Sequence, residues 1–332
     1  MARSITFNNS ILLAPMAGVN DPIFRRICKQ HGADLTYSEM ISAVGLSQRG
    51  RKSYDLLYAQ EAEKPFALQL FGKDPDVLAD QAARLSHEHA DDIALIDINM
   101  GCPTRKIAGK GEGVALMREP ALAERIIASV VSAVDLPVTV KFRRGFEQGQ
   151  ETAATFAQMA EAAGASAVAV HGRWATQFYS GYADRDVIGR VKAAVGIPVI
   201  ASGDVYAISD IMHYLLEQGA DAVMIARGAQ GNPWLFAQAK AALAAGSSVD
   251  SPQDIAQPTL ATKIGVARDH LTDLVQLFPH QLPSMRRHIT WYFKGIRGAT
   301  ELRRRVNQCV ALADYLNLLD ELETLATNEQ LF

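Results

Sequence analysis

Residues 164–173, Gly-Ala-Ser-Ala-Val-Ala-Val-His-Gly-Arg, give the clearest indication of the fold. The first glycine is typical of the end of a helix followed by a tight turn. The apolar run 167–170 then predicts a strand that is buried on both faces, as in a parallel sheet covered by helices. Residues 219–228 repeat this layout, which indicates a recurring helix–turn–strand unit.

Short apolar runs of this kind recur along the first 243 residues, with helical patterns between them. The predicted strands cover residues 11–14, 35–37, 66–71, 93–98, 138–141, 167–170, 199–201 and 222–225. Eight strands alternating with helices over about 240 residues predict an α/β protein of the (β/α)8 TIM-barrel class. An open doubly wound sheet is disfavoured because no GxGxxG motif follows the first strand.

The pattern changes after residue 243. Residues 244–258 are rich in Ala, Gly, Ser and Pro and predict a linker. From 259 to 332 the helical patterns continue without strand-like runs, which predicts an all-helical domain after a barrel domain over 1–243. Two interpretations stay open for it: an extension packed on the barrel, or a second domain that grips a ligand.

Charge is distributed unevenly along the chain. The 332 residues carry 33 Lys and Arg against 36 Asp and Glu, a net charge of -3, which excludes a uniformly basic surface. Residues 286–305 nevertheless hold seven Lys and Arg against Glu301 alone, a local charge of +6 that leaves −9 for the rest. A polyanionic partner would bind at this basic stretch.

Several classes of protein are excluded by simple patterns. No apolar run approaches the roughly 20 residues that span a bilayer, and residues 1–9 lack the apolar core of a secretory signal. Cys28, Cys102 and Cys309 are too few and too widely spaced for a disulfide framework, and no cysteine or histidine cluster has metal-ligand spacing. We therefore expect a cytoplasmic protein without membrane attachment or a bound metal.

Polar or reactive groups follow almost every predicted strand. Because the carboxyl ends of barrel strands gather at one rim, these groups are expected to converge on one site. From the first strand to the eighth they are Pro15-Met16-Ala17, Glu39, Gln69, Asn99 with Cys102, Lys141 with Arg143, His171 with Arg173, Ser202-Gly203-Asp204 and Ala226-Arg227-Gly228.

Three of these groups suggest particular chemistry. The glycine-rich ends of the last two strands predict a phosphate site, to which Arg227 adds a fixed charge. Lys141 ends an apolar strand, so it is a Schiff-base lysine, a cation that stabilises negative charge on a cofactor ring, or a surface residue. His171 is a site residue or a core histidine, and the Gly172-Arg173 that follows favours the site.

Cys102 is the candidate catalytic thiol. It follows Asn99-Met100-Gly101 and precedes residues 104–113, where three glycines and two lysines predict a mobile, cationic loop. The alternative for Cys102 is a small hydrophobic residue at a turn. Cys28 and Cys309 are expected to be residues of that buried, inert kind.

The motifs at these strand ends resemble those of the tRNA-dihydrouridine synthases, and most closely the bacterial B-type branch. The resemblance covers nearly the whole chain. It is carried by Leu13-Ala14-Pro15-Met16-Ala17-Gly18-Val19 with Asp21 and Pro22, Asp97-Ile98-Asn99-Met100-Gly101-Cys102-Pro103, His171-Gly172-Arg173, Ala229-Gln230-Gly231-Asn232-Pro233-Trp234, Arg286-Arg287-His288 and Trp291-Tyr292-Phe293-Lys294-Gly295.

The resemblance implies an FMN-bound barrel that reduces uridines in tRNA with NADPH or NADH, and we expect a monomer. Pro15, Met16 and Ala17 would back the flavin, Gln69 would bind its pyrimidine edge, and Lys141 would stabilise the reduced ring. The phosphate end would be held by Ser202, Gly203, Asp204, Ala226, Arg227 and Gly228, with His171 nearby. Asn99, Arg143 and Arg173 would face the uracil, and Arg286, Arg287 and Lys294 would bind tRNA.

The reaction that the resemblance implies also gives Cys102 a role. Hydride addition to C6 of uracil develops negative charge toward C5 and O4, so an acid must protonate C5 from the opposite face. An unperturbed thiol, with a pKa of about 8.5, is mostly protonated at neutral pH and can give up its proton. Cys102 is therefore expected to act as a general acid.

Two departures and three alternatives accompany the resemblance. The family often has Asn-Gly-Asp and Gly-Arg where this chain has Ser202-Gly203-Asp204 and Ala226-Arg227, which leaves the side-chain roles of Ser202 and Ala226 open. The alternatives are a flavin-dependent dehydrogenase of a small pyrimidine, a flavin-free lyase that uses Lys141, and an RNA-binding protein on a degenerate barrel.

Overall fold

Parallel strands form one curled sheet in this computed structural model, which describes residues 5–246 and 257–327. All of the strand pairings run parallel. The described strands are β1 (Ser10–Leu13), β2 (Leu35–Thr36), β3 (Ile41–Ser42), β4 (Phe66–Phe71), β5 (Ile93–Met100), β6 (Val138–Gly145), β7 (Ala167–Trp174), β8 (Val199–Ser202) and β9 (Ala222–Ile225).

The sheet closes into a ring with eight strand positions. Its order is β2-β1-β9-β8-β7-β6-β5-β4-β3, and the two ends, β2 and β3, follow one another along the chain, a few residues apart. Tyr37, just after β2, forms a bridge with Ala67 of β4 and so joins the two ends of the order. The predicted (β/α)8 TIM barrel is therefore confirmed.

The second strand is interrupted at Tyr37, where the Asn20 side chain, instead of a neighbouring strand, bonds a backbone carbonyl. The Asn20 amide donates hydrogen bonds of 2.8 Å both to the Tyr37 carbonyl and to the Ala14 carbonyl. This buried amide satisfies backbone oxygens at the place where the chain leaves the ladder. The sequence pattern, which predicts one strand over residues 35–37, did not reveal β3.

Helices alternate with the strands and then continue after the last one. They are α1 (Pro22–Gln30), α2 (Ala43–Ser47), α3 (Arg51–Asp55), α4 (Pro75–Glu88), α5 (Arg105–Ala108), α6 (Pro120–Ala133), α7 (Ala153–Ala162), α8 (Asp186–Lys192), α9 (Ile208–Met212), α10 (Trp234–Ala244), α11 (Leu260–Leu277), α12 (Met285–Tyr292), α13 (Ala299–Gln308) and α14 (Leu312–Thr327). Both α1 and α4 begin with Asp-Pro, in which the aspartate accepts backbone N–H bonds and proline occupies the first helical turn.

Strand register arranges the barrel interior in rows. Gln69, Asp97 and Thr139 lie opposite one another on β4, β5 and β6, and Asn99 lies opposite Lys141 one row higher. At the rim Arg143, His171, Ser202 and Met224 are in register on four successive strands. Since side chains two residues apart face the same way, the polar rows stack toward the carboxyl ends of the strands.

The C-terminal helices α11 to α14 share a hydrophobic cluster of their own. The cluster includes Leu271, Met285 and Leu319, and it extends to Ile23 and Ile27 of α1 and to Trp234. These helices therefore pack on the barrel. The predicted division into residues 1–243, 244–258 and 259–332 stays a prediction, and residues 247–256 of the predicted linker lie outside the described part of the chain.

Asp21, His270 and His288 join α1 to α11 and α12 in a buried cluster. His270 Nε2 lies 3.1 Å from both Asp21 carboxylate oxygens, and His288 Nε2 lies 3.3 Å from Asp21 Oδ2. Burial alone would raise the pKa of Asp21, but the charge and hydrogen bond of His270 hold it well below its usual range. Burial, with the charge of His270, lowers the pKa of His288 to about 3.

The low pKa of His288 predicts acid sensitivity. This histidine stays neutral in the fold but gains a proton in the unfolded chain below pH 6.5, so stability falls as pH drops from 6.5 toward 3. His288→Gln keeps a donor for Asp21 and cannot titrate, so the pH-dependent loss between 6.5 and 5.0 should shrink by about 2 kcal/mol. Urea unfolding at the two pH values measures this difference.

His87→Gln, an exposed change on α4, is the matched control and should keep the acid sensitivity of the wild type. Equal pH dependence of His288→Gln and the wild type would show that His288 does not carry the effect.

Candidate active site

A cavity of about 460 Å³ opens at the carboxyl ends of the barrel strands. Its volume is typical of a site for a small ligand or cofactor. Most of the residues that the sequence predicts for the site line it: Pro15, Met16, Ala17, Gln69, Asn99, Cys102, Lys141, Arg143, His171, Ser202, Gly203, Asp204, Ala226 and Arg227.

At one end of the cavity the Asp204 carboxylate binds Arg227 on the cavity wall and Arg173 behind it. Asp204 accepts from Arg173 Nη2 at 2.7 Å and from Arg227 Nη2 at 3.1 Å. Gly203 has a φ of +122° and a β-carbon there would lie 2.8 Å from the Ala183 side chain, so only glycine fits. This end is a compact turn with an excess of positive charge.

Half-buried ionisable groups lie at the middle of the cavity. Burial and the charge of Arg143 lower the pKa of Lys141 to about 8, against the opposing effect of the Asp97 charge. Burial, together with the charges of Arg143, Lys141, Arg173 and Arg227, lowers the pKa of His171 well below its usual value. His171 is therefore neutral at pH 7 and can act there only through hydrogen bonds.

Cys102 lies on the cavity wall at a turn that Asn99 holds. Asn99 Oδ1 accepts from the Cys102 backbone N–H at 3.0 Å, and Cys102 Sγ lies 3.3 Å from Thr104 Oγ1. The thiol is partly exposed, whereas Cys28 and Cys309 are buried. The stretch 104–113, predicted as a loop, instead contains helix α5, whose carbonyls are bonded within a short turn.

Arg143 and Arg173 are largely committed to the backbone. Arg143 is 2% exposed and donates to the carbonyls of Gly101, Trp174 and Phe178. Arg173 is equally buried, donates to the carbonyls of Ser180 and Gly181 as well as to Asp204, and does not line the cavity. Arg173 therefore supports Asp204 and the loop after β7.

Four other predicted residues also lie beyond the cavity wall. Gly228 packs against the backbone of Val205, where a β-carbon would lie 2.1 Å from the carbonyl oxygen. Arg286 is half-buried and donates to the Cys309 carbonyl, and Lys294 is exposed. Arg287 donates to the Gly18 carbonyl at 2.8 Å, directly beside the cavity-lining residues of the first loop.

Several cavity residues were missed by the sequence analysis. They are Val19, Met40, Pro103, Thr104, Tyr179, Val205, Tyr206, Met224 and Gln230. Tyr179 is 55% exposed and lies beneath the guanidinium groups of Arg143 and Arg227, each 5.5 Å from its ring centre. Tyr179 follows the His171-Gly172-Arg173 motif by a few residues, and its place after a strand end was the available signal.

The structure also brings together potential metal ligands that lie far apart in the sequence. Within the described residues, Asp21, His270 and His288 hold ligand-type atoms within 4.8 Å of one another. Asp21 Oδ1 already caps α1, and His270 Nδ1 lies 2.9 Å from the Tyr292 hydroxyl. Hydrogen bonding thus accounts for this cluster except at His288 Nδ1. The expectation of a metal-free protein stays a prediction.

A closed parallel barrel with a cavity at the carboxyl rim is an architecture that many enzymes share. Similarity to known proteins narrows the class to which this chain belongs. The dihydrouridine synthase family model matches residues 12–329. A probable tRNA-dihydrouridine synthase of Rickettsia conorii is 38% identical over 307 residues, 92% of this chain and 90% of that protein. The tRNA-dihydrouridine synthase B of Pseudomonas aeruginosa is 36% identical over 305 residues, 91% and 89% of the two chains.

A solved structure supports the fold alone. The 6-hydroxypseudooxynicotine amine oxidase from Pseudomonas geniculata N1 has a TM-score of 0.53 and 12% identity, covering 80% of this chain and 50% of that chain. The family match and the relatives show that this chain belongs to the dihydrouridine synthase family. The predicted family is confirmed, and the relatives include B-type enzymes as the motifs indicated.

Gly228→Ala tests the close packing behind the end of the cavity at which the phosphate site is predicted. The new β-carbon would overlap the Val205 carbonyl, so the turn must shift, and we expect a loss of about 1–3 kcal/mol in the free energy of unfolding. Urea unfolding measures it. Gly265→Ala, which adds a methyl group in open space on α11, should be neutral or slightly stabilising. Equal stability of the two variants would contradict the packing argument.

Proposed function

We propose that this protein is a tRNA-dihydrouridine synthase that reduces the C5=C6 bond of specific uridines in tRNA, with FMN as cofactor and NADPH or NADH as reductant. The observation that carries the proposal is a single cavity wall that holds Cys102, Lys141 and His171 beside a helical region rich in arginine. The names of the relatives, which include tRNA-dihydrouridine synthases, support the same activity.

The donor set of the cavity fits an anionic flavin nucleotide. Lys141, Arg143 and Arg227 face it against Asp204 alone among the described lining residues, which gives the wall a net positive charge. FMN would be held by Pro15, Met16, Ala17, Gln69, Lys141, His171, Ser202, Gly203, Asp204, Ala226, Arg227 and Gly228. Of these, Gly228 would act from behind the wall by shaping the turn.

The residues of the chain supply binding and proton transfer. When bound, reduced FMN supplies the hydride that adds to C6 of uracil, and the nicotinamide reductant restores it. Cys102 donates the proton that C5 requires, because its thiol lies at the cavity wall on a turn fixed by Asn99. Asn99 and Arg143 line the cavity where the uracil would lie, and Lys141 would stabilise negative charge on the reduced cofactor.

The grip on tRNA comes from the basic stretch 286–305. Arg287 binds Gly18 between two cavity-lining residues, so the basic stretch begins at the rim of the cavity. Phosphate contacts from Arg286, Arg287 and Lys294 would hold the RNA while the target base turns out of its stack into the cavity. A small-pyrimidine dehydrogenase would have no use for this stretch.

Other predicted properties belong to this proposal. Among the described helices none combines the length and the apolar character required to cross a membrane. A cytoplasmic location and a monomeric state stay predictions, as does the choice between NADPH and NADH.

The purified protein, incubated with NADPH and an unmodified tRNA transcript, should add two mass units to a uridine. Flavin-dependent oxidation of NADPH by free pyrimidines alone would instead favour a small-pyrimidine dehydrogenase.

Cys102→Ala tests the general acid. The variant should keep bound FMN and lose about 10²–10⁴-fold in the rate of uridine reduction, since C5 no longer receives its proton. Flavin absorbance and mass spectrometry of the tRNA nucleosides measure the two properties. Cys28→Ala, a change at a buried cysteine on α1, should keep both. Full activity of Cys102→Ala would overturn the assignment.

Charge reversal tests the RNA grip. Lys294→Glu with Arg303→Glu alters two exposed cations of the basic stretch and should weaken tRNA binding about tenfold or more. The slope of log affinity against log salt should also fall by about two. The control is Arg125→Glu, an equally exposed cation on α6. Equal losses in control and variant would show that the basic stretch has no special part in binding.

A further inference from the structure

Asp97 is an ionisable side chain sealed inside the barrel below the cavity. It is fully buried and does not line the cavity. Its neighbours in the barrel interior are largely apolar and include Tyr37, Ala67, Leu95 and Ala167. Because a charge in such surroundings is costly unless it is paired and hydrogen-bonded, its partners indicate what it does.

Two neighbours in the same row of the barrel donate to this carboxylate. Thr139 Oγ1 donates to Asp97 Oδ1 at 2.5 Å, and Gln69 Nε2 donates to Asp97 Oδ2 at 2.6 Å. All three side chains are in register on adjacent strands, so their spacing is fixed by the ladder. An ionised carboxylate only accepts, and the amide of Gln69 must therefore present its NH₂ group to Asp97.

The orientation of the Gln69 amide also sets the orientation of Asn99, which holds the Cys102 turn. With its NH₂ group bound below, Gln69 offers Oε1 to the Asn99 amide, whose Nδ2 donates to it at 2.8 Å. Asn99 then presents Oδ1 to the backbone N–H groups of Gly101, at 3.2 Å, and Cys102, at 3.0 Å. One carboxylate thus fixes the direction of each hydrogen bond in the chain that runs from Asp97 through Gln69 and Asn99 to the Cys102 turn.

The same carboxylate also acts on the charge of the half-buried Lys141. Lys141 lies in the next row up, opposite Asn99, and Asp97 raises its pKa against the effects of burial and of Arg143. Burial raises the pKa of Asp97 to about 6, while the hydrogen bonds of Gln69 and Thr139 and the charge of Lys141 oppose that rise. Asp97 is therefore ionised at pH 7.5, with Lys141 protonated above it.

We propose that Asp97 is a positioning residue with two effects: it orients the amides of Gln69 and Asn99 that hold the Cys102 turn, and it keeps Lys141 charged beside the cavity. The inference rests on the proposed function, because it concerns the same site. It assigns no contact with substrate or cofactor to Asp97 itself.

Two substitutions separate the effects. Asp97→Asn has the shape of the wild type, and its Oδ1 can still accept from Gln69 while its NH₂ group faces the Thr139 hydroxyl, so it removes the charge but keeps the orientation. Asp97→Leu has a similar size and removes both. Thr139→Val, which removes the other donor and leaves the carboxylate, is the matched control.

The first experiment follows the visible spectrum of bound FMN as a function of pH. Lys141 should give a transition near pH 8 in the wild type. In Asp97→Asn the transition should move toward acid by about one pH unit, and in Lys141→Met it should vanish. Thr139→Val should keep it near the wild-type position. A transition at the wild-type pH in Asp97→Asn would overturn the counter-charge.

The second experiment measures uridine reduction in single turnovers at pH 6.5. Asp97→Asn should be close to the wild type there, because Lys141 is still protonated, whereas Asp97→Leu should be about 10²-fold slower because the turn is misplaced. A wild-type rate in Asp97→Leu would overturn the orienting effect. If the wild-type protein binds no flavin or reduces no uridine, the proposed function fails instead, so the two failures are distinct.

Discussion

The ladder of parallel hydrogen bonds around the barrel is the constraint on which the rest of the structure depends. Closing eight strand positions fixes the register, and the register fixes which side chains stand beside each other in the interior. The row of Gln69, Asp97 and Thr139, the row of Asn99 and Lys141, and the rim of Arg143, His171 and Ser202 are consequences of that register. A shift by one residue would turn each polar group into the apolar layer between strands and helices.

The loop after β1 connects this barrel to the helices that follow it. Its residues line the cavity on one side, while Arg287 binds the Gly18 carbonyl and the Asp21 cluster binds α11 and α12 on the other. The salt bridge between Arg26 and Asp273, at 2.7 Å, adds to the same junction. A ligand held by the helices would therefore be held in a fixed position relative to the cavity, which suits an enzyme that must bring one base of a large RNA to one thiol.

Much of this architecture could be predicted from the sequence. Strands that are buried on both faces appear as continuous apolar runs, and the residues of the rim come directly after these runs. What the sequence did not reveal depends on contacts through space. The second strand is interrupted where the Asn20 side chain bonds the Tyr37 carbonyl, and the Asp21 cluster joins residues some 250 positions apart. Asp97 begins the motif of residues 97–103, but the role proposed for it depends on the register, which places Gln69 and Thr139 beside it. Arg173 looked like a rim residue, but its carbonyl partners in the loop after β7 draw it behind Asp204.

The central claim is that the rim of this barrel reduces uridine in tRNA that the basic helices hold. The most direct test expresses the chain in a bacterial strain whose own dihydrouridine synthase genes have been deleted and maps dihydrouridine at every tRNA position. We expect dihydrouridine to appear at a defined set of tRNA positions that carry unmodified uridine in the deletion strain. Its absence from every position, with the protein present and carrying flavin, would show that this barrel does not reduce uridine in tRNA.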